Sequence, residues 1–178
     1  RYHEILSLIT NLEHIGDIVD LNLMDIAEKK ARERLRFSPQ GFAELRRIHE
    51  AVLANLQLAL SVFVTRDVRL ARRLVASKAE VRELERRAYE NHLRRLALGV
   101  PDSLQTTALH LDVIRDLKRI NSHLTAIAYS LLEETGELRA TRLAAEAVAE
   151  PVRAPAAAAP SERPEGPNPD LAAQAPHR

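Results

Sequence analysis

Three carboxylates recur along the stretch NLEHIGDIVD, which spans residues 11 to 20. Glu13, Asp17 and Asp20 follow one another at steps of four and three residues, so a helix brings them to one side, at the margin of its apolar stripe. Several closely set oxygens suit a hard divalent cation such as Mg²⁺, and also Mn²⁺ or iron. The same acids could instead reach water or pair with an arginine of a neighbouring helix. The residues therefore leave a metal site and a solvated cluster open as alternatives.

A second cluster of polar residues lies within the last segment of the chain that has a periodic apolar pattern. Asp112, Asp116, Arg119 and His123 follow one another at helical spacing and share one side of a helix. We expect this side to face away from the core, with Arg115 and Arg119 neutralising the acids through contacts three residues apart. A surface for a partner is the alternative interpretation.

No other arrangement of residues indicates chemistry. The seven histidines form no close pair four residues apart, cysteine is absent, and there is no glycine-rich phosphate loop or nucleophile elbow. We therefore predict that the chain is not an enzyme. Asn121 falls inside an apolar stripe, where a lone amide sets helix register or bonds to a neighbour. Arginine pairs at 46/47, 72/73, 86/87 and 94/95 are interpreted as solvated helix faces.

Composition favours one helical domain with a substantial core. Of the 178 residues, 46% are hydrophobic and 29% are charged, and there are only five glycines. The formal net charge is +1 and only 3% of the residues are aromatic, so the chain lacks both a strong positive field and stacking platforms for bases. These values disfavour nucleic acid as a partner.

Hydrophobic periodicity predicts four helices. Apolar residues recur at steps of three and four from Ile5 to Ile26, and Ser38 before Pro39 indicates the cap of a second helix. Asp67 is a candidate cap for a third helix, whose predicted apolar stripe runs from Leu70 to Ala88 and includes Tyr89. Gly99 ends the third helix, and a fourth, whose apolar stripe begins at Leu104, runs to Gly136. Short connections predict an all-α, up-and-down helical bundle. The residues predicted to be mutually buried at its centre are Leu56, Leu84, Ile114 and Leu124.

The two ends of the chain differ from this pattern. After about Glu150 the sequence contains seven of the nine prolines and almost no large apolar side chain, so residues 151–178 are predicted to form a disordered Pro/Ala-rich tail. Residues 139–150 are predicted to be a helix extension or a linker. The sequence begins inside an amphipathic pattern and its only methionine is Met24. We therefore expect a fragment of a longer protein, with any membrane part upstream.

The motifs resemble those of a known family, the PhoU-like domains. NLEHIGDIVD is similar to the family's Glu-x-Ile-Gly-Asp signature, and LHLDVIRDLKRINSHLTAIAY at 109–129 resembles the second-repeat signature of bacterial sodium/phosphate cotransporters. The preceding ELERRAYENHLRRLALG resembles the same branch. A weak internal repeat relates the segments beginning at Leu12 and Leu117, although two helices with the same core pattern would also produce it. The resemblance implies that residues 1–36 are the last helix of a first three-helix repeat and that 38–138 are the second repeat.

For function, the resemblance implies a cytoplasmic regulatory domain of a sodium-dependent phosphate transporter, which would modulate phosphate uptake or homeostasis. The partner would be an upstream transmembrane domain, which would hold this domain at the inner face of the inner membrane. A homodimer is a further candidate assembly. The alternative is a free-standing PhoU-type regulator or metal-binding adaptor. Some PhoU-like proteins hold metals on acidic motifs, which Glu13 and Asp17 match, whereas Lys118 and Ser122 replace both acids in the second repeat.

Overall fold

The computed structural model describes residues 2–137, and the predicted linker and tail lie outside them. Across these residues all regular structure is helical, which confirms the predicted fold class. The elements in chain order are α1 (Tyr2–Asp17), a π-helical segment (Ile18–Leu23), α2 (Met24–Arg32), α3 (Pro39–Thr65), α4 (Val68–Ala97), α5 (Pro101–Gln105) and α6 (Thr107–Glu134).

Helices α3 and α4 begin at the predicted caps. Ser38 Oγ accepts a hydrogen bond from the Gly41 amide at 3.2 Å, and Pro39 is the first residue of α3. Asp67 Oδ1 accepts from the Arg69 amide at 2.7 Å and begins α4. Each cap satisfies an amide that the first helical turn leaves without a partner. Both predicted starts are confirmed.

Helices α4 and α6 also end just before the glycines that were predicted to stop them. The segment between these two helices differs from the prediction. Gly99 and Gly136 have φ of +67° and +74°, the left-handed conformation that stops a helix. The predicted fourth helix is two elements, because the short helix α5 ends at Gln105 and α6 begins at Thr107. Leu104 was predicted to lie in the apolar stripe and is instead 53% exposed on α5.

Helices α3, α4 and α6 pack against one another around a single apolar core. Ile114 and Leu124 of α6 are buried there as predicted, whereas Leu56 and Leu84 are only partly buried at its edge. Inside the core, Asn55 Nδ2 donates to Asn121 Oδ1 at 2.8 Å, and both side chains are buried. The prediction that Asn121 bonds to a neighbouring helix is confirmed.

The composition and length of α3 would also permit a membrane span. Its 27 residues include an 18-residue window with at most two charged residues and a mean hydropathy of 1.4. The core helix of a soluble bundle meets the same description, and α3 places seven residues, from Gly41 to Val62, in the buried interior.

Helix α1 and the π-helical segment lie along α6. Arg66 contacts both Glu4 near the start of α1 and Glu134 at the end of α6, while Asn22 contacts Asp116 near the start of α6. The two helices therefore run antiparallel. Their packing buries Leu8, Ile18 and Ile26 but leaves Ile5, Leu12 and Val19 exposed. The predicted stripe is therefore confirmed where it packs against the core and wrong for Ile5, Leu12 and Val19, which lie at its exposed margin.

Candidate functional site

The predicted metal ligands lie on the side of the first helix that faces away from α6. Asn11 marks the side of α1 that contacts α6. Successive residues of a helix are rotated by about 100° around its axis, so Glu13 lies roughly 160° and Asp17 roughly 120° away from Asn11. Asp20 is exposed within the π-helical segment. Among residues 2–137, none of these three carboxylates has a hydrogen bond or ion pair with another described residue. No group of three or more His, Cys, Asp or Glu side chains is arranged around a common metal position there. The three carboxylates remain predicted ligands.

Exposed apolar side chains surround these acids on what we call the outer face, defined as the side of α1 that carries Ile5, Ile9, Leu12, Glu13 and Asp17. Ile9 is 54% exposed, and Ile5 and Leu12 are exposed as well. A soluble helix normally buries such residues against a neighbour. The outer face therefore combines an uncovered apolar strip with acids that have no cationic partner in the described part of the chain.

The position that the predicted repeat places opposite Glu13 carries a lysine, Lys118. Lys118 Nζ lies 2.7 Å from Glu85 Oε1 of α4, so this ammonium already has a carboxylate partner. Ser122 Oγ donates to the Lys118 carbonyl oxygen at 3.0 Å. A positive charge here repels a further cation, so the two predicted repeats differ in chemistry at these positions.

The side of α6 that carries Asp112 and Asp116 does not face solvent as predicted. Asp116 is completely buried, and Asn22 of the π-helical segment contacts it. Its Oδ1 accepts from Asn22 Nδ2 at 3.3 Å and from Arg119 Nη1 at 3.2 Å, with Arg115 Nε at 3.6 Å. Asp112 pairs with Arg115 at 2.9 Å. The predicted neutralisation by arginine is confirmed, and the predicted exposure is wrong for Asp116.

Two histidines that are far apart in sequence meet where α1 and α6 pack. The rings of His14 and His123 have centroids 5.0 Å apart and planes tilted by 51°. His123 Nδ1 also lies 3.0 Å from Asn11 Oδ1. Burial, His14 and Arg119 hold the pKa of His123 below its usual range. Sequence spacing within a single helix could not reveal this pair.

A buried polar cluster that was not predicted from the sequence lies near the start of α3. Arg95 donates to both carboxylate oxygens of Glu44, at 2.9 and 2.8 Å, and its Nε donates to Ser103 Oγ at 3.2 Å. Ser103 Oγ in turn donates to Ser38 Oγ at 3.1 Å. Arg95 is 8% exposed, so its interpretation as part of a solvated arginine pair is wrong. A hydrogen-bonded, paired charge of this kind joins the start of α3, the end of α4 and α5.

The same cluster contains two stacked imidazoles. His92 and His110 have ring centroids 4.7 Å apart and planes only 12° from parallel, and both are buried. Burial, His92 and Arg95 lower the pKa of His110 to about 4, although Glu44 acts in the opposite direction. Burial and Arg95 also lower the pKa of His92. The cluster is a structural junction, and its polar groups mostly contact one another.

Helical period provided a signal for this cluster that the sequence analysis did not use. The predicted stripe of α4 was followed to Ala88, and the same steps of four and three residues lead next to His92 and Arg95. Both residues are buried on that stripe. Tyr89, which was placed on the stripe, is exposed instead.

Comparison with known proteins gives a family match and several relatives. A family model described as the PhoU domain matches residues 45–131. The chain is 42% identical over 134 residues to the "Putative inorganic phosphate export protein YjbB" of Salmonella typhimurium, covering 75% of this chain and 25% of that protein. The protein of the same name from Escherichia coli K12 is 42% identical over 137 residues, covering 77% of this chain and 25% of the relative. The chain thus spans about a quarter of these relatives' length. No solved structure matches it.

Proposed function

Residues 45–131 of this chain are a PhoU domain, and from that premise we propose that the chain is the regulatory domain of a longer phosphate transport protein. The chain is related to proteins named for phosphate export, of which it spans a quarter. In the proposed protein the remaining length forms a transmembrane domain that moves phosphate, coupled to sodium. The helical domain lies at the inner face of the inner membrane, has no catalytic activity of its own and alters phosphate flux.

The observation that carries this proposal is the outer face. Helix α1 packs on α6 with one side and exposes Ile5, Ile9 and Leu12 on the other. An uncovered apolar strip of this kind is typical of a surface that another element occupies. Since the relatives extend well beyond the region matched here, further chain of the same protein is the simplest occupant. A second copy of the domain is the alternative occupant.

The carboxylates of the outer face have a place in this proposal. Glu13, Asp17 and Asp20 would offer oxygens to a hard divalent ion such as Mg²⁺, Mn²⁺ or Fe²⁺. Three side chains from one helix leave most coordination positions to water or to neighbouring chain. We propose that an ion bound there would connect α1 to the element that covers the outer face.

Expression of the complete natural gene distinguishes the proposal from its runner-up. A regulatory domain of a transporter predicts that antibody against residues 39–137 detects a product that sediments with membranes and resists extraction by carbonate. A free-standing PhoU-type regulator or adaptor predicts a product that stays in the supernatant. The second result would overturn the transporter assignment and leave the PhoU domain itself unaffected.

A further inference from the structure

We propose that His14 and His123 bind a transition-metal ion such as Ni²⁺ or Zn²⁺ in a two-imidazole site that joins α1 to α6. This site is separate from the predicted carboxylate site, because imidazole nitrogen suits nickel, copper and zinc, whereas carboxylate oxygens suit harder ions. The inference goes beyond the proposed function and does not depend on it.

The distance between the two rings fits chelation of one ion. A metal bound about 2.1 Å from one nitrogen of an imidazole lies roughly 3.2 Å from the centre of that ring. Two such rings at an octahedral or tetrahedral angle around the ion then have centres roughly 4.5 to 5.2 Å apart. The centroids of His14 and His123 are 5.0 Å apart, inside this range.

The tilt between the rings also fits. A metal lies in the plane of each imidazole that binds it, so two rings stacked face to face cannot share one ion. The planes of His14 and His123 differ by 51°. The other histidine pair provides a contrast within the same chain, because His92 and His110 are stacked within 12° of parallel and their planes do not converge on a nearby point.

Hydrogen bonding sets the tautomer of His123 that metal binding requires. Asn11 Nδ2 lies 2.7 Å from the Ser7 carbonyl oxygen, which can only accept, so the amide nitrogen faces Ser7 and the amide oxygen faces His123. That oxygen can only accept in turn, so His123 Nδ1 carries the proton. Nε2 of a neutral His123 therefore presents a lone pair. In metal-binding histidines the N–H of the other ring nitrogen commonly donates a hydrogen bond to an oxygen in this way.

The surroundings leave room for the rest of a coordination shell. His14 is exposed and His123 is partly exposed, so water can reach both rings. The described residues supply no third His, Cys, Asp or Glu to the pair, and water therefore completes the shell. A bound ion would link the first helix to the three-helix bundle.

Calorimetric titration of NiCl₂ into the full chain, free of any histidine tag, tests the site at neutral pH. We expect one ion per chain, with affinity reduced at least tenfold in His14→Asn and in His123→Asn. His49→Asn changes an exposed histidine of α3 and is the matched control, for which binding should be unchanged. Glu13→Gln/Asp17→Asn should also leave nickel binding unchanged, which separates this site from the carboxylate site.

The variant Asn11→Asp tests the tautomer argument, because a carboxylate accepting from Nδ1 makes the imidazole a stronger ligand and should raise the affinity. Since His14 is exposed, His14→Asn keeps the fold, as circular dichroism would verify, and it decides the question even if His123→Asn unfolds. Nickel binding that is unchanged in His14→Asn, or lost equally in His49→Asn, would overturn the proposal.

Discussion

Arg95 donates to both carboxylate oxygens of Glu44 across the buried junction between α4 and α3, with nitrogen to oxygen distances of 2.9 and 2.8 Å. The Arg95 side chain is 9% exposed and that of Glu44 is 13% exposed, so water screens the pair only weakly. The two residues are 51 positions apart in the sequence. This contact, together with Ser103 and Ser38, ties the start of α3 to the end of α4.

Removal of the guanidinium should therefore destabilise the fold strongly. Arg95→Met keeps the length of the side chain but leaves the Glu44 carboxylate buried without a cation, which we expect to cost about 3 to 5 kcal/mol in the free energy of unfolding. Arg94→Met, which changes the exposed neighbour, should stay within about 0.5 kcal/mol of wild type. Chemical denaturation measures both. Adding Glu44→Gln to Arg95→Met should recover part of the lost stability, because it removes the unpaired charge. Similar losses for Arg95→Met and Arg94→Met would show that the buried ion pair does not stabilise the fold.

Stability should depend on pH through the stacked histidines. The pKa of His110 is about 4 in the folded chain, whereas an unfolded histidine has a pKa of about 6.5. Between these values the unfolded chain binds more protons, so the free energy of unfolding falls as pH decreases from about 6.5 to about 4. A complete shift of this size corresponds to about 3 kcal/mol.

The variant His110→Phe should flatten this part of the pH dependence, because it removes the titrating group and keeps a ring beside His92. His49→Asn changes an exposed histidine and should leave the slope unchanged. Carboxylates titrate in the lower part of the same pH range. Their contribution is the same in wild type and variant, so it cancels in the difference between the two free energies of unfolding at each pH. An unaltered slope in His110→Phe would show that His110 is not the group responsible.

The outer face should make this chain self-associate in solution. Ile9 is 54% exposed on that face, with Ile5 and Leu12 beside it, and uncovered apolar strips drive association. Ile9→Lys/Leu12→Lys should lower the average mass measured by light scattering. Leu98→Lys is the control, since Leu98 is 75% exposed at the end of α4 and away from α1. A wild-type chain that is strictly monomeric at high concentration would contradict this expectation.

Metal binding by the carboxylates should be confined to the first helix. Mn²⁺ should broaden the amide resonances of residues 13–20, with weak affinity because one helix supplies only three ligands. Glu13→Gln/Asp17→Asn should abolish the broadening, while Glu133→Gln, which changes an exposed acid at the end of α6, should not. Resonances near Lys118 should stay sharp, because its ammonium repels cations. Broadening that centres on Lys118, or that survives in the double variant, would show that the acids are solvated side chains and do not form a metal site.

Local signals in the sequence predicted the elements of this fold well. Ser38 and Asp67 cap the helices that they were predicted to cap, and Gly99 and Gly136 end the helices before them. These features depend on a few adjacent residues, so that a short stretch of sequence determines them. Asn121 was similarly recognised as a polar group inside an apolar stripe, and Asn55 is its partner.

Features that depend on how helices pack were less predictable. Asp116 was expected to be exposed because its own helix gives no sign that the π-helical segment packs over it. The contact between His14 and His123 could not be predicted for the same reason. The π-helical segment interrupts the periodicity of the first helix and has no local sequence marker. Arg95 is a different case. The helical periodicity of α4 places it on the buried stripe, but arginine is usually exposed, and it was predicted to be at the surface for that reason.

The most direct test of the proposed function is the movement of radiolabelled phosphate across membrane vesicles that contain the complete natural gene product. Deletion of residues 39–137 removes the three-helix bundle and should change the initial rate of sodium-dependent phosphate flux at an unchanged amount of protein in the membrane. Ile9→Lys/Leu12→Lys, which alters only the outer face, should change the rate in the same direction, and Leu98→Lys should not. An identical flux with and without the bundle, or a complete product that moves no phosphate, would contradict the assignment of this chain as a regulatory domain of a phosphate transporter.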